Sequence, residues 1–307
     1  MQQTDLGKPR TPQQYLRLFL TGFAMGAADI VPGVSGGTMA FILGIYHTLI
    51  NAIKSFNLTA IRLAIGLKFK ELFAHVSLTF LIAVALGIGT AIIALSNLLG
   101  NALENTPTFV FAFFGGLVIA SIIAIGSKLK WTPVNIALLI IGAVGAFFIV
   151  GLRPMQDGDH TPLVLFVSGA IAICAMILPG ISGSFILLIL GQYEFILNAV
   201  RTRDIGSLVM VAAGCAVGII AFSRILSWLL KHYEQATIAV LTGFMIGSLR
   251  KIWEEASAGW QPQYGAGELA LTVGLVLIGF VLVSAIDHAQ SRSNPVLRMI
   301  TRRAAAN

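Results

Sequence analysis

The sequence predicts an all-α polytopic membrane protein made of two inverted-topology repeats, each a re-entrant helical hairpin plus transmembrane helices. Three observations carry that prediction: composition, an internal duplication, and the placement of Lys and Arg. The 307 residues are 57% hydrophobic and 11% charged, with 32 glycines and a mean hydropathy of +0.88. That profile suits a chain solvated mostly by lipid and by its own helices, and a single integral membrane domain is expected over 1–307.

The duplication is read by laying "ADIVPGVSGGTMAFILGIYHTLINAI" (28–53) on "AMILPGISGSFILLILGQYEFILNAV" (175–200), where 12 of 26 pairs are identical at a constant offset of 147. Shared apolar composition alone does not produce that many identities. Downstream the offset falls to 127, setting Gly87 on Gly214, Ser96 on Ser223, Gly116 on Gly243 and Ser121 on Ser248. Most of the difference of 20 is a longer connection in the first half, the 22 residues "KSFNLTAIRLAIGLKFKELFAH" against the 8 of "RTRDIGSL", which accounts for 14 of it. The first repeat is placed at 16–127 and the second, inverted, at 163–250, with 133–152 as a linking transmembrane helix and 268–286 as the final one.

Element by element, the apolar segments near 72–100, 107–127, 133–152, 206–230, 235–250 and 268–286 are each close to the roughly 20 residues that cross hydrocarbon. The motif regions 16–53 and 163–200 differ. Each is two runs of about 12 to 16 residues split by a Pro-Gly-x-Ser-Gly break, and such a run reaches only about 18–24 Å at 1.5 Å per residue. Two re-entrant hairpins are expected; two short full spans per pair are the alternative and leave the topology parity unchanged. With the N-terminus and C-terminus cytoplasmic, 14 Lys and Arg fall inside and 5 outside (Arg153, Arg201, Arg203, Arg250 and Lys251), as the positive-inside rule requires. Inverted repeats around discontinuous helices place a binding site near the midplane. The same basic loops account for the net charge of +7 without an anionic macromolecule. The N-terminal stretch has the outline of a signal peptide, but its apolar run leads into the first repeat motif, which argues against cleavage.

Irregular backbone at membrane depth survives only when it is buried in protein or lines a hydrated cavity. Pro32, Gly33, Pro179 and Gly180 break the entering half-helices, and Ser35 and Ser182 are placed to cap the exit half-helices that start near Thr38 and Ser184. Two helix N-termini converging from opposite leaflets form a site for an anion, built on Ser35, Gly36, Gly37, Thr38, Ser182, Gly183 and Ser184. The competing account is a packing kink among the chain's many GxxxG spacings. Two copies of the motif in inverted halves favour the ligand site.

Two ionisable residues stand out. Asp29, at the break, has Met176 as its repeat partner, so the hairpin itself does not require it; it is a candidate for coupling to a proton or cation, or a carboxylate capping local N–H groups. Arg224, whose repeat partner is Asn97, is a candidate counter-ion to an anion, or a snorkelling side chain. Cys174 and Cys215 lie in apolar runs and read as packing residues. There is no GxxxxGK[ST], no HExxH, no GxGxxG after a strand and no basic-aromatic pattern, so the sequence gives no sign of nucleotide hydrolysis, zinc chemistry, a bound cofactor or nucleic-acid binding.

The motifs "ADIVPGVSGGTMAFILGIY", "ILPGISGSFILLILGQY" and "LTGFMIGSLRKIW" resemble those of the bacterial polyprenyl-phosphate transporter family, formerly a domain of unknown function, and the likeness runs from about Tyr15 to Ala285. The stretch "RKIWEEASAGW" departs from it, since the family tends to carry proline after this Trp. The resemblance implies translocation of undecaprenyl phosphate across the bacterial cytoplasmic membrane, from the outer to the inner leaflet, for recycling in cell-wall synthesis. It implies a phosphate seated on the two breaks and an isoprenoid tail left in a lipid-facing groove. A membrane undecaprenyl-diphosphate phosphatase is the alternative with the same architecture. That enzyme family places Arg after the motif Ser, where this chain has Gly36 and Gly183. A small-anion or ion transporter is the third reading. A homo-oligomer is compatible with all three.

Overall fold

The computed structural model describes residue 7 and residues 9–155 and 158–291; among these every regular element is an α-helix. Helix α1, Pro12–Ile30, starts at a capping box: Thr11 Oγ1 accepts from the Gln14 N–H, the Gln14 side chain accepts from the Thr11 N–H, and Pro12 takes the first helical position. After the first break come α2, Gly36–Ile42, and α3, Tyr46–Lys54. The long connection folds as α4, Leu58–Ile65, and α5, Phe69–His75, which leave Ile61, Ile65, Leu67 and Phe69 more than half exposed beside Arg62, Lys68 and Lys70. Then follow α6, Leu78–Asn105, α7, Pro107–Gly126, and α8, Pro133–Val150. The second half repeats the order without the two connecting helices: α9, Pro162–Ile177; α10, Gly183–Ile189; α11, Tyr193–Thr202; α12, Ile205–His232; α13, Glu234–Ala258; α14, Ala266–Ser291.

Helices α6, α7, α8, α12 and α14 are long and apolar enough to cross a membrane. The expected span at 235–250 lies within α13, which has 25 residues but carries Arg250, Lys251, Glu254 and Glu255 toward its C-terminal end. The expected span at 72–100 begins later than the apolar run suggests, because residues 69–75 belong to α5 and extended backbone at Val76 separates them from α6.

Packing repeats as the sequence does. Helix α1 lies along α6 as α9 lies along α12; α7 lies along α14 as α13 lies along α8; and α7 and α13 pack on each other across the two halves. Glycine sets the closest of these approaches. A Cβ on Gly87 would fall 2.1 Å from the Phe19 carbonyl oxygen, and one on Gly214 would fall 1.9 Å from that of Phe166. Gly87 and Gly214 are repeat partners at the offset of 127, and Phe19 and Phe166 are partners at 147, so one backbone-to-backbone contact is built twice. Cys174 and Cys215 flank the second copy, their thiols directed at the Gly218 and Gly169 carbonyls at 3.6 and 3.3 Å, which is the packing role the sequence suggests.

The exit half-helices are shorter than the apolar runs of about 12 to 16 residues suggest. They stop after seven residues, and α3 leaves α2 at 116° while α11 leaves α10 at 104°. Each stop is a Schellman cap. Gly44 and Gly191 take φ of 76° and 67°; Ile45 N–H reaches the Ala40 carbonyl and Gly44 N–H that of Phe41, matched by Gln192 to Leu187 and Gly191 to Leu188.

The close approach at α1 and α6 gives a direct test. Gly87→Ala forces a methyl into backbone and is expected to destabilise the protein by about 1–3 kcal/mol, whereas Gly89→Ala, two residues along the same helix with nothing within 4 Å, is expected to be neutral or mildly stabilising. Thermal unfolding of the two variants in detergent measures the difference.

Candidate functional site

Both breaks fold as the same turn. In residues 31–34 and 178–181 the carbonyl of the first residue accepts from the N–H of the fourth, Val34 to Val31 at 3.1 Å and Ile181 to Leu178 at 3.4 Å. Proline at the second position fixes φ, and glycine at the third takes a φ of 81° at Gly33 and 88° at Gly180; this is the residue pattern of a type II turn. The two turns press on one helix. A Cβ on Gly180 would lie 2.9 Å from the Met245 Cα, and one on Gly33 would lie 2.9 Å from the Lys251 Cγ. Met245 and Lys251 are about 9 Å apart along α13 at 1.5 Å per residue.

The turns also meet each other. Ser35 Oγ donates to the Leu178 carbonyl at 3.2 Å, Gly180 N–H donates to Thr38 Oγ1 at 3.0 Å, and Tyr46 OH donates to the Ile177 carbonyl at 3.2 Å. Gly37 abuts the same Ile177 carbonyl, which would lie 2.6 Å from a Cβ there. All three side chains come from the first half, and all three partners are backbone of the second. Repeat equivalence does not carry the pattern over: Phe185 stands where Thr38 does, and Ser182 shares its hydrogen bond with Ser184 at 2.8 Å.

The expected caps divide likewise. Ser35 Oγ accepts from Gly37 N–H at 3.1 Å and caps α2, whereas α10 has no side-chain cap, because Ser182 is turned to Ser184. Asp29 Oδ1 accepts from the Gly36 N–H at 2.7 Å, which is the local-capping arrangement weighed for it from the sequence. The N–H groups of Gly36 and Gly37 are thus both engaged by the first half's own side chains. Ser35, Thr38 and Ser182 are buried, Gly36, Gly37 and Gly183 with them, while Pro32 and Ser184 are exposed. Arg224 lies exposed on α12, and no hydrogen bond or ion pair joins it to either break among the described residues.

Sequence reasoning passed over Lys251, counting it only as an outer charge. Its stem lies against Gly33, and its Nζ stands 5.3 Å from the centroid of the Phe185 ring on α10, so it touches both motif regions. The signal was available in "GSLRKIW", where adjacent cations end an apolar helix and Lys251 is followed four residues on by Glu255. Nζ and Glu255 Oε1 are 2.7 Å apart, and Glu255 lines a cavity of about 280 Å³ with Pro32, Leu103, Pro107 and Phe111. Among the described residues no group of His, Cys, Asp and Glu is arranged to hold a metal ion.

Residues 25–267 match the family described as undecaprenyl phosphate translocase-like. A protein of Vibrio cholerae serotype O1 named "Polyprenyl-phosphate transporter" is 44% identical over 240 residues, covering 78% of each chain. A protein of Staphylococcus aureus with the same name is 34% identical over 250 residues, covering 75% of this chain and 83% of the relative. No solved structure matches. The Pro-Gly-x-Ser breaks and α13 all fall inside the matched span, and the chain belongs to the undecaprenyl phosphate translocase-like family.

Proposed function

We propose that this chain carries undecaprenyl phosphate across the cytoplasmic membrane from the outer to the inner leaflet, as a transporter and not as an enzyme. The observation that carries the reading is the meeting of the two breaks: duplicated non-helical segments, largely buried except at Pro32, hydrogen-bonded to one another and laid on one helix. The names of the two relatives supply the substrate class. In this reading α1 to α3 and α9 to α11 are re-entrant hairpins of opposite orientation, and the distribution of Lys and Arg supports the inversion. The matched pairing of α7 with α14 and of α13 with α8 supports treating α8 and α14 as the closing helices of two equivalent halves, rather than as a link and an appendix.

The phosphate is received where the halves meet, at Ser35, Gly36, Gly37 and Thr38 on one side and Ser182, Gly183 and Ser184 on the other, while the isoprenoid chain stays among lipid and apolar helix faces. Only the charged head needs shelter, because transferring a phosphate through hydrocarbon costs many kcal/mol and a C55 chain has no such barrier. Rocking one half against the other moves the head between leaflets and must break the Ser35, Thr38 and Tyr46 bonds across the seam, each worth on the order of 1 kcal/mol net. Asp29 couples this step to a proton or cation: the carboxylate holds the Gly36 N–H by a charge-assisted hydrogen bond, and neutralising it weakens that hold to the strength of a neutral bond.

Two experiments in liposomes test this. Undecaprenyl phosphate is expected to cross the bilayer when the purified protein is present, without orthophosphate release from the diphosphate, and the double variant Ser35→Ala with Ser182→Ala is expected to lose most of that movement while still folding. Orthophosphate release would identify an enzyme instead, and undiminished movement by the double variant would remove the phosphate from the two breaks. Asp29→Asn keeps an oxygen for the Gly36 N–H but loses the charge. It is expected to transport with a flattened dependence on pH and membrane potential; a dependence identical to that of the parent protein makes Asp29 a structural cap.

A further inference from the structure

A cation beside its path favours a phosphate, and α13 supplies one where the two motif regions meet. Lys251 has a side chain only 19% exposed, packed by its stem on Gly33 of the first turn and by its ammonium on the ring of Phe185 just after the second. The ammonium carries three N–H donors on a compact point charge. One goes to Glu255, and among the described residues Lys251 has no other hydrogen-bond partner, so two remain for a ligand. Neighbouring Arg250 is spent differently: Nε pairs with Glu254 at 2.6 Å, Nη1 donates to the Phe147 carbonyl at 3.0 Å, and the guanidinium covers the Phe147 ring, all on the α8 side.

Glu255, but not Lys251, lines a small cavity beside this pair. Its volume of about 280 Å³ lies below the roughly 300–1,000 Å³ of pockets that enclose whole drug-sized ligands, and its named walls apart from Glu255 are apolar. Glu255 itself is 36% exposed, so it can leave the ammonium for water at small cost.

We propose that Lys251 is the charged group that receives the phosphate monoester of the lipid carrier at the seam of the two breaks, and that Glu255 holds the ammonium in place until the phosphate takes over. This rests on the reading of the chain as a polyprenyl-phosphate carrier. The exchange replaces one anion on the ammonium by another, so the partly buried cation is never left bare, and it selects for a phosphorylated lipid over a neutral one.

The test is binding to the purified full-length protein in detergent, with undecaprenyl phosphate, undecaprenol and inorganic phosphate as separate probes. Lys251→Gln is expected to weaken undecaprenyl phosphate binding at least about tenfold, the lower bound for losing a hydrogen bond to a charged group, and to leave undecaprenol unaffected. Lys251→Arg is expected to restore most of the affinity, and Glu255→Gln to raise it above that of the parent protein by removing the competing anion. The double variant separates direct from indirect effects. If Lys251→Gln with Glu255→Gln binds as weakly as Lys251→Gln alone, the ammonium itself holds the phosphate; if it recovers the parent affinity, the loss came from an unpaired Glu255 and the proposal falls. The proposal also falls if Lys251→Gln binds as the parent does, if Glu255→Gln fails to bind more tightly, or if the Lys251 effect appears with inorganic phosphate and not with the lipid. Should Lys251→Gln not fold, the Lys251→Arg and Glu255→Gln arms decide. A parent protein that neither binds nor moves undecaprenyl phosphate overturns the transport reading itself, an outcome distinct from a variant that binds normally.

Discussion

The architecture turns on hiding two stretches of non-helical backbone. An amide without a partner in hydrocarbon costs several kcal/mol, so a chain with Pro-Gly turns inside its apolar runs must surround them with protein. It does so in three layers. Each turn closes its own first hydrogen bond, each lies on α13, and the two lie on one another. Glycine is what permits the last two layers, because at Gly33, Gly37 and Gly180 the neighbour begins where a side chain would be. The same element therefore has to break the helix, fit the seam and leave room at it, and the Pro-Gly-x-Ser-Gly run does all of this in five positions.

Duplication supplies the frame but not the chemistry. The repeated helix contacts at Gly87 and Gly214 obey both sequence offsets, so the framework of the two halves was copied intact. The seam was not. Ser35 and Ser182 are repeat partners, yet one caps its helix and reaches across to Leu178 while the other turns to Ser184. A two-fold seam could have set Ser182 on the Val31 carbonyl as Ser35 is set on that of Leu178; instead the first half supplies the side chains and the second the backbone. Asp29 and Thr38, whose partners are Met176 and Phe185, are the substitutions that complete this division.

Much of this was legible in the sequence because it is written in local signals. Apolar length gives the long helices, Pro-Gly-x-Ser gives the breaks, and twelve identities give the duplication. The second bend was not legible, although Gly44 and Gly191 align, because one glycine in an apolar run reads equally as a tolerated helical residue; only the paired Schellman bonds decide. The start of α6 was lost in the same way, since nothing in the apolar run marks Val76 as the end of α5. For Lys251 only the four-residue spacing to Glu255 was legible, not its place at the breaks. Its significance comes from Gly33 and Phe185, which folding brings from distant parts of the chain, and no spacing rule links them.

Under the transport reading, these features share one consequence. Several of the groups placed to hold the phosphate already have an internal substitute: Asp29 on the Gly36 N–H, Ser35 Oγ on the Gly37 N–H, and Glu255 on one of the three Lys251 donors. A site left bare in a low-dielectric setting would be costly, so the empty protein must satisfy itself. The affinity for the lipid is then a difference between two sets of charge-assisted hydrogen bonds and not the full strength of one. Such a difference is small by construction. A storage protein would be poorly served by it, whereas a carrier that must release a phosphate into the opposite leaflet requires it, since a head group held at full strength would never leave. The polar groups that stabilise the empty seam are in this sense the same ones that set the rate of release, and stability and turnover are governed by one set of residues.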